Sequence, residues 1–310
     1  MKRFLPLLLA LAACETVISI DPPDYDAEIT ATSLFTPDSV WTARISRTIP
    51  VEQAGTVDSP FLNNASVSVW EGDQLIDRLV YDNLGAGIYQ SQSGRTPESN
   101  KLYRLEVEAP GYNRVEATSA LPVAPQIIEL SLVLSERGAF TTWYSLRFRL
   151  KDSPDAAFYS FGAYLVYASD PDDGGDSEDI QIEPLSMAQE DATWQCSYED
   201  ALNPVQIESD GGGTEWCRTG IMTDRQFSGM ERDFETTIVP RYPEIVREPS
   251  IIFYVISMSE DYFEYQRSLE NTDYQDPFSE PLQVFTNVEG GRGVFAGYNS
   301  SFRILDLPDQ

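Results

Sequence analysis

Apolar and polar residues alternate along most of the chain between Ala27 and Ala120. Seven short segments carry the pattern (EITATSLF, VWTARISR, ASVSVWE, QLIDRLVY, GIYQS, LYRLEVEA and RVEATSA) at the spacing expected of a β-sandwich. In LYRLEVEA, Tyr103, Leu105 and Val107 fall on one face and Arg104, Glu106 and Glu108 on the other. That period of two predicts a half-buried antiparallel strand. Asp82-Asn83 to Gly85, Gly87, Gly94 and Pro110-Gly111 supply the turns between segments. LPVAPQI, Leu121 to Ile127, breaks the pattern, because its two prolines disfavour a helix or a central strand.

Beyond that break the pattern resumes. SLRFRLK puts Leu146, Phe148 and Leu150 inward and Arg147, Arg149 and Lys151 outward. FYSFGAYLVYA is apolar enough for a central strand, and FETTIVP, SIIFYVISM and LQVFTNV read as further strands. One helix is expected near 259–270. Ser257 and Glu260 have capping-box spacing, Ser259 is an alternative cap, and Tyr262, Tyr265, Gln266 and Leu269 form a stripe that should pack on a sheet. The expected fold is mainly β: a sandwich over 26–122, then a second antiparallel β domain over 126–310 carrying one short helix. The succession G-x-Y, L-Y-x-L-x-V and P-G-Y in the first domain resembles immunoglobulin-like or transthyretin-like modules.

The N-terminus obeys a different rule. Lys2 and Arg3 precede an apolar run from Phe4 to Ala13, ten residues where a bilayer-crossing helix needs about twenty. A basic start, a short apolar core and small residues before a break are the marks of a signal peptide over 1–13. Leu11, Ala12, Ala13 and Cys14 match the recognition sequence for lipoprotein processing, which lipidates the cysteine and cleaves before it. The alternative is an ordinary signal peptide with Cys14 present by chance. Residues 14–25, rich in proline and acid, then read as a lipidated tether. In Gram-negative sorting an aspartate after the cysteine retains a lipoprotein at the inner membrane, so Glu15 points to the outer membrane.

Composition removes whole classes of chemistry. The formal charge is -29, and only three of the 21 cationic residues are lysines, Lys2, Lys101 and Lys151. A nucleic-acid partner is not expected, since no Lys/Arg cluster offers phosphates a basic surface. Dispersed acids fit a solvated surface in high salt, with an acidic face for a cation as the rival. Histidine is absent, which excludes Ser-His-Asp and Cys-His catalysis and every imidazole zinc site. Carboxylate-pair hydrolysis stays open, although with 50 acids some pair is inevitable.

Beside Cys14 the chain has Cys196 and Cys217, and an even remainder in an exported chain reads as a disulfide. Free thiols and a metal site are the alternatives; the latter is poor without histidine or a C-x-x-C pair. SDPDDGGDSED, residues 169–179, clusters carboxylates as calcium sites do but departs from the EF-hand spacing at Gly174, leaving calcium or a disordered acidic loop. No cofactor is expected. Gly290, Gly291 and Gly293 permit a tight turn; GGRG opens no helix and lacks a following Lys-Ser/Thr, so a phosphate loop is excluded.

Taken in order, the lipobox running into CETVISIDPPDYD, then TPDSVWTARISRTIPV, NNASVSVWEGD, GIYQS, LYRLEVEAPGY, DRQFSGMERDF, and finally SEDYFEYQRSL with DPFSEPLQVFTNVEGGRGVFAGYNS resemble domain-of-unknown-function family 4249. The resemblance runs over nearly the whole chain after Cys14, and the stretch from Ser259 to Tyr298 is its most specific part. It implies an outer-membrane lipoprotein of Bacteroidota type, typically encoded near TonB-dependent receptors, with an accessory role in uptake. It carries over no catalytic residues. The expected function is therefore non-enzymatic partner binding at the outer membrane, with a surface glycan hydrolase or a structural envelope protein as alternatives.

Overall fold

The structure, a computed structural model, describes residues 26–50, 53, 59–137, 142–153, 158–168, 180–190, 192–197, 216–240, 247–270 and 283–307. Cys14, the tether and the acidic 169–179 segment lie outside them. The alternating segments are strands at almost the expected limits: β1 Ile29–Phe35, β2 Thr42–Arg47, β3 Ser66–Glu71, β4 Gln74–Tyr81, β5 Ile88–Gln90, β6 Lys101–Glu108 and β7 Val115–Leu121. After the proline break come β8 Gln126–Arg137, β9 Thr142–Lys151, β10 Phe158–Ala168, β11 Ile180–Pro184, β12 Ser186–Ala188, β13 Trp194–Cys196, β14 Trp216–Cys217, β15 Thr219–Thr223, β16 Glu231–Val239 and β17 Arg247–Met258. Helix α1, Glu260–Glu270, and the 15-residue β18, Arg292–Asp306, follow.

Two sandwiches result. In the first, alternate side chains of β1 to β7 turn inward, and Phe35, Trp41, Tyr103 and Phe295 meet at its centre with ring centroids 4.5 to 6.4 Å apart. In the second, β9 and β16 face β10 and β17, and Phe148 stacks on Phe234 at 4.9 Å and lies 4.7 Å from Phe253. FYSFGAYLVYA is central as expected, because β10 has β17 along one edge and β15 and β11 along the other.

The sandwiches share a sheet of 13 strands, β13-β15-β10-β17-β18-β1-β2-β5-β4-β3-β6-β7 with β11 beside β10. β18 makes it continuous: its first half runs parallel to β1 and its second half antiparallel to β17. The β1–β18 pair, which joins the two sandwiches, is parallel, and the other strand pairs described are antiparallel. Phe295, 173 positions beyond Pro122, thereby sits in the first core. Glycine makes this register possible. A Cβ on Gly293 would collide with the backbone of Ala31, one on Gly291 with the carbonyl of Ile29, and one on Gly297 with the carbonyl of Ala120. Gly293 also has φ +113°, a conformation that side chains resist.

The proline break is tied down by side chains. A segment with two prolines lacks two N–H donors and does not join a ladder, so its carbonyls need other partners. Asn299 Nδ2 donates to the carbonyl of Pro122 at 3.1 Å, Ser257 Oγ to that of Val123, and Ser301 Oγ to that of Pro125 at 2.7 Å. Ser257 is thus a strand residue holding the linker, and the helix is capped by Ser259, whose Oγ accepts from the Tyr262 N–H at 3.3 Å. The expected stripe is displaced too: the most buried helical side chain is Phe263, stacked on Phe158 at 4.5 Å.

LQVFTNV is not a strand over its described residues, 283–288. Asn287 replaces the ladder with its side chain. Its amide accepts from the Phe295 N–H at 2.9 Å and donates to the Phe295 carbonyl at 2.8 Å, the two bonds a neighbouring strand would make.

Cys196 and Cys217 form the expected disulfide, with Cα atoms 5.5 Å apart and a sequence separation of 21. It joins the ends of β13 and β14, which belong to opposite sheets of the second sandwich.

Two outcomes follow for stability. Gly293→Ala should cost well over about 2 kcal/mol in urea unfolding, because it adds a backbone clash to a left-handed conformation, whereas Gly72→Ala, at φ +57° with open space, should cost about 1 kcal/mol. The double variant Cys196→Ser, Cys217→Ser should lose roughly 3 kcal/mol of stability, and reductant should lower the melting temperature of the native chain but not of the variant.

Candidate functional site

Three surface features stand out among the described residues. The first is a groove of about 560 Å³ on the outer face of β8, β9 and β16. The alternation that buries Leu146, Phe148 and Leu150 turns Arg147 and Arg149 out to solvent, where acids of the neighbouring strands meet them. Arg147 pairs with Glu235 at 2.9 Å, and Arg149 with Asp233 at 2.7 Å and Glu129 at 3.1 Å. Arg147 and the Ser145 hydroxyl hold the Glu235 carboxyl below its ordinary pKa. A glycan hydrolase needs two acids across a cleft with aromatic platforms. Here three of the acids are matched to arginines, and the rings of Phe148 and Phe234 point into the core.

The second is a crevice of about 530 Å³ between the two sandwiches, walled by β6, β7 and the start of α1. Leu102, 59% exposed, lies on its floor, and the Ser119 hydroxyl donates to the Asp261 carboxylate across it. Lys101 at its rim is neutralised by Glu71 at 3.1 Å and Glu98 at 2.9 Å, and these carboxylates raise its pKa. Glu260 and Asp261 have a structural role here, since acids in the first turn offset the helix dipole.

The third is the outer face of β11, β10, β17 and β18. In an ordinary sandwich this face is polar, and here it is apolar. Pro184, Tyr164, Ile252 and Ile304 lie in one row across the four strands, with Tyr254 and Phe302 on one side and, on the other, a row that runs Ile182, Val166, Ser250 and Asp306. Ile180, Ile182, Phe302 and Ile304 are 73%, 60%, 59% and 61% exposed. Tyr254 lies flat over Gly162, where a Cβ would strike its ring, and stacks on Tyr164 at 5.5 Å. At one end the same face is roofed: α1 lays Tyr262 and Phe263 over Phe158, Ile221, Ile256 and Met258. Away from the helix, no described residue covers it.

A buried carboxylate completes the inventory. Asp152 accepts from the Tyr159 hydroxyl and from the Gly229 N–H at 2.6 Å, fixing the turn after β9 against the one before β16. Burial, reinforced by Asp152, pushes the Tyr159 phenol up, and burial raises Asp224 beside it. This cluster is closed to solvent at Asp152 and acts as a structural tie.

Of the residues marked in the sequence, Cys196 and Cys217 meet, while Cys14 lies outside the described residues. Among those residues no group of three His, Cys, Asp or Glu side chains is placed to hold a metal, and no helix is long and apolar enough to cross a membrane. The apolar face had a signal in the sequence: FYSFGAYLVYA and SIIFYVISM are largely apolar on both strand faces, although a sandwich buries one, and SSFRIL adds Phe302 and Ile304 to the outer one.

The search of curated proteins finds no match for the chain. A family model, described as a domain of unknown function (DUF4249), matches residues 15–303, which span both sandwiches, the glycine-dependent β1–β18 pair and the linker clamp. The chain therefore belongs to the DUF4249 family.

Proposed function

We propose that this chain is a non-enzymatic lipoprotein of the outer membrane, anchored through acyl chains on Cys14, that binds a TonB-dependent receptor and assists it in ligand capture or uptake. The observation that carries the reading is the apolar outer face of β11, β10, β17 and β18, which away from α1 no described residue covers. Contiguous exposed apolar area beyond a few hundred Å² marks an interaction site in soluble domains, and aromatic residues are enriched where partners dock. The anchor supports it too. One acyl chain binds a membrane marginally and several bind it stably, so a lipidated Cys14 would confine the folded body to the membrane surface, where a receptor is abundant. The ion-paired groove favours no hydrolytic chemistry.

Purification of the full-length lipidated protein in mild detergent, followed by mass spectrometry, tests this. A TonB-dependent receptor should accompany the native protein and fall at least about tenfold in yield with the pair Phe302→Asp, Ile304→Asp, whose melting temperature should stay near the native value because both side chains are already in water. Cys14→Ser should move the protein from the membrane to the soluble fraction. Recovery without any such receptor under several growth conditions, or a Cys14→Ser protein that still sediments with membranes, overturns the reading.

A further inference from the structure

Strand register fixes which end of the first sandwich the chain enters. Ile29 lies opposite Arg47 at the end of β2, and Thr30 beside Arg292 at the start of β18. Glu28 is pinned at the same place: its N–H donates to the Thr48 hydroxyl at 2.9 Å and its carboxylate pairs with Arg292 at 3.1 Å. The ends of β4 and β6 and the starts of β3, β5 and β7 share this pole, as their pairings require. The opposite pole holds the second sandwich. There the proline linker leaves β7, and the Asn299 amide donates to Ser99 Oγ at 2.7 Å and to the Pro122 carbonyl at 3.1 Å. A lipid on Cys14, twelve residues before Asp26 and so within about 40 Å of it, therefore pulls on the end away from the second sandwich.

Leu84 stands at that pole, in the turn between β4 and β5, and at 82% it is the most exposed large apolar side chain among the described residues. The turn holds it out. Asp82 Oδ1 accepts from the Leu84 N–H at 2.9 Å, the Tyr81 hydroxyl accepts from the Gly85 N–H at 3.2 Å, and Asn83 and Gly85 take φ +62° and +81°. In the strand order β1-β2-β5-β4 this turn is three strands from the point of entry, about 15 Å across the sheet. Charge gives the pole no hold on an anionic surface: Arg114 pairs with Glu106 and Glu116, Arg292 pairs with Glu28, and Arg47 is outnumbered by Asp82, Glu108 and Glu289. One leucine is far less than a stable protein contact buries. It suffices for a tip that a short tether already keeps at high local concentration beside lipid. We propose that the 82–87 turn is the membrane-facing tip of the body, that Leu84 enters the interface of the bilayer carrying the acyl chains, and that the second sandwich is thereby turned away from the lipid; this rests on the Cys14 anchor proposed above.

The test uses the full-length lipidated chain in vesicles of phosphatidylcholine and phosphatidylethanolamine. An environment-sensitive fluorescent amino acid is placed singly at position 84, at 73 in the β3–β4 turn of the opposite pole, or at 304 in the second sandwich. Nitroxide-bearing lipid should quench position 84 at least about twofold, with a blue shift of its emission, and leave 73 and 304 unchanged. Because the contact is apolar, the quenching should persist from about 0.05 M to about 0.5 M salt. The inference is overturned by an unquenched position 84, by a blue shift there without quenching, which would mean that another part of the chain covers it, by equal quenching at 73 or 304, or by loss of quenching at the higher salt. Mass spectrometry of the same sample keeps the readings apart. An acylated chain with position 84 in water sinks this inference alone, and a chain without acyl groups sinks the anchor and this inference with it. A quenched tip on a chain that recruits no TonB-dependent receptor sinks the functional reading and leaves this one standing.

Discussion

The parallel contact between β1 and β18 is the constraint from which the rest of the architecture follows. A strand needs hydrogen-bond partners along its buried edges and a close approach to whatever lies across its faces. β18 meets both demands by changing neighbours midway: beside β1 as far as Gly297, beside β17 from Tyr298 onward. Glycine at 291, 293 and 297 brings its backbone against Ile29, Ala31 and the end of β7. Asn299 and Ser301, on the same strand, then take the carbonyls of the proline linker. The two sandwiches are therefore locked through one strand, and the linker has no freedom to act as a loose hinge.

Much of this was legible in the sequence, and what was not has physical causes. Period-two alternation located the strands because each half-buried strand must sort its side chains by face. It does not report which strand lies alongside, or in which direction. The parallel partner of Ile29–Phe35 lies some 260 positions away and is selected by glycines whose role depends on a backbone they meet only in the folded state. LQVFTNV has the composition of a strand, yet Asn287 satisfies Phe295 with a side-chain amide and the segment needs no ladder. Ser257 and Ser259 offered two caps by spacing, and burial of Ser257 against the linker decided between them.

The two outer faces of the second sandwich show how one pattern serves different ends. On β9 the outward positions include Arg147 and Arg149, and acids from β8 and β16 neutralise them, so that part of the face is finished by its own chain. On β10, β17 and β18 the outward positions are aromatic and aliphatic, and α1 reaches only part of them. The apolar composition of those strands was readable as centrality in a sheet. How far the 11-residue helix would reach across that sheet was not, because it depends on where Phe263 finds Phe158.

The strand that completes the first sandwich is made some 170 residues after β7, so synthesis order and folding order are opposed. The N-terminal lobe leaves the ribosome early but lacks Phe295 at its centre and an edge for β1 until β18 is made. Pairings of such long sequence separation form slowly. Closure of the first sandwich is thus delayed by its own topology, and loss of β18 would unmake the beginning of the molecule along with the sheet that joins it to the second sandwich.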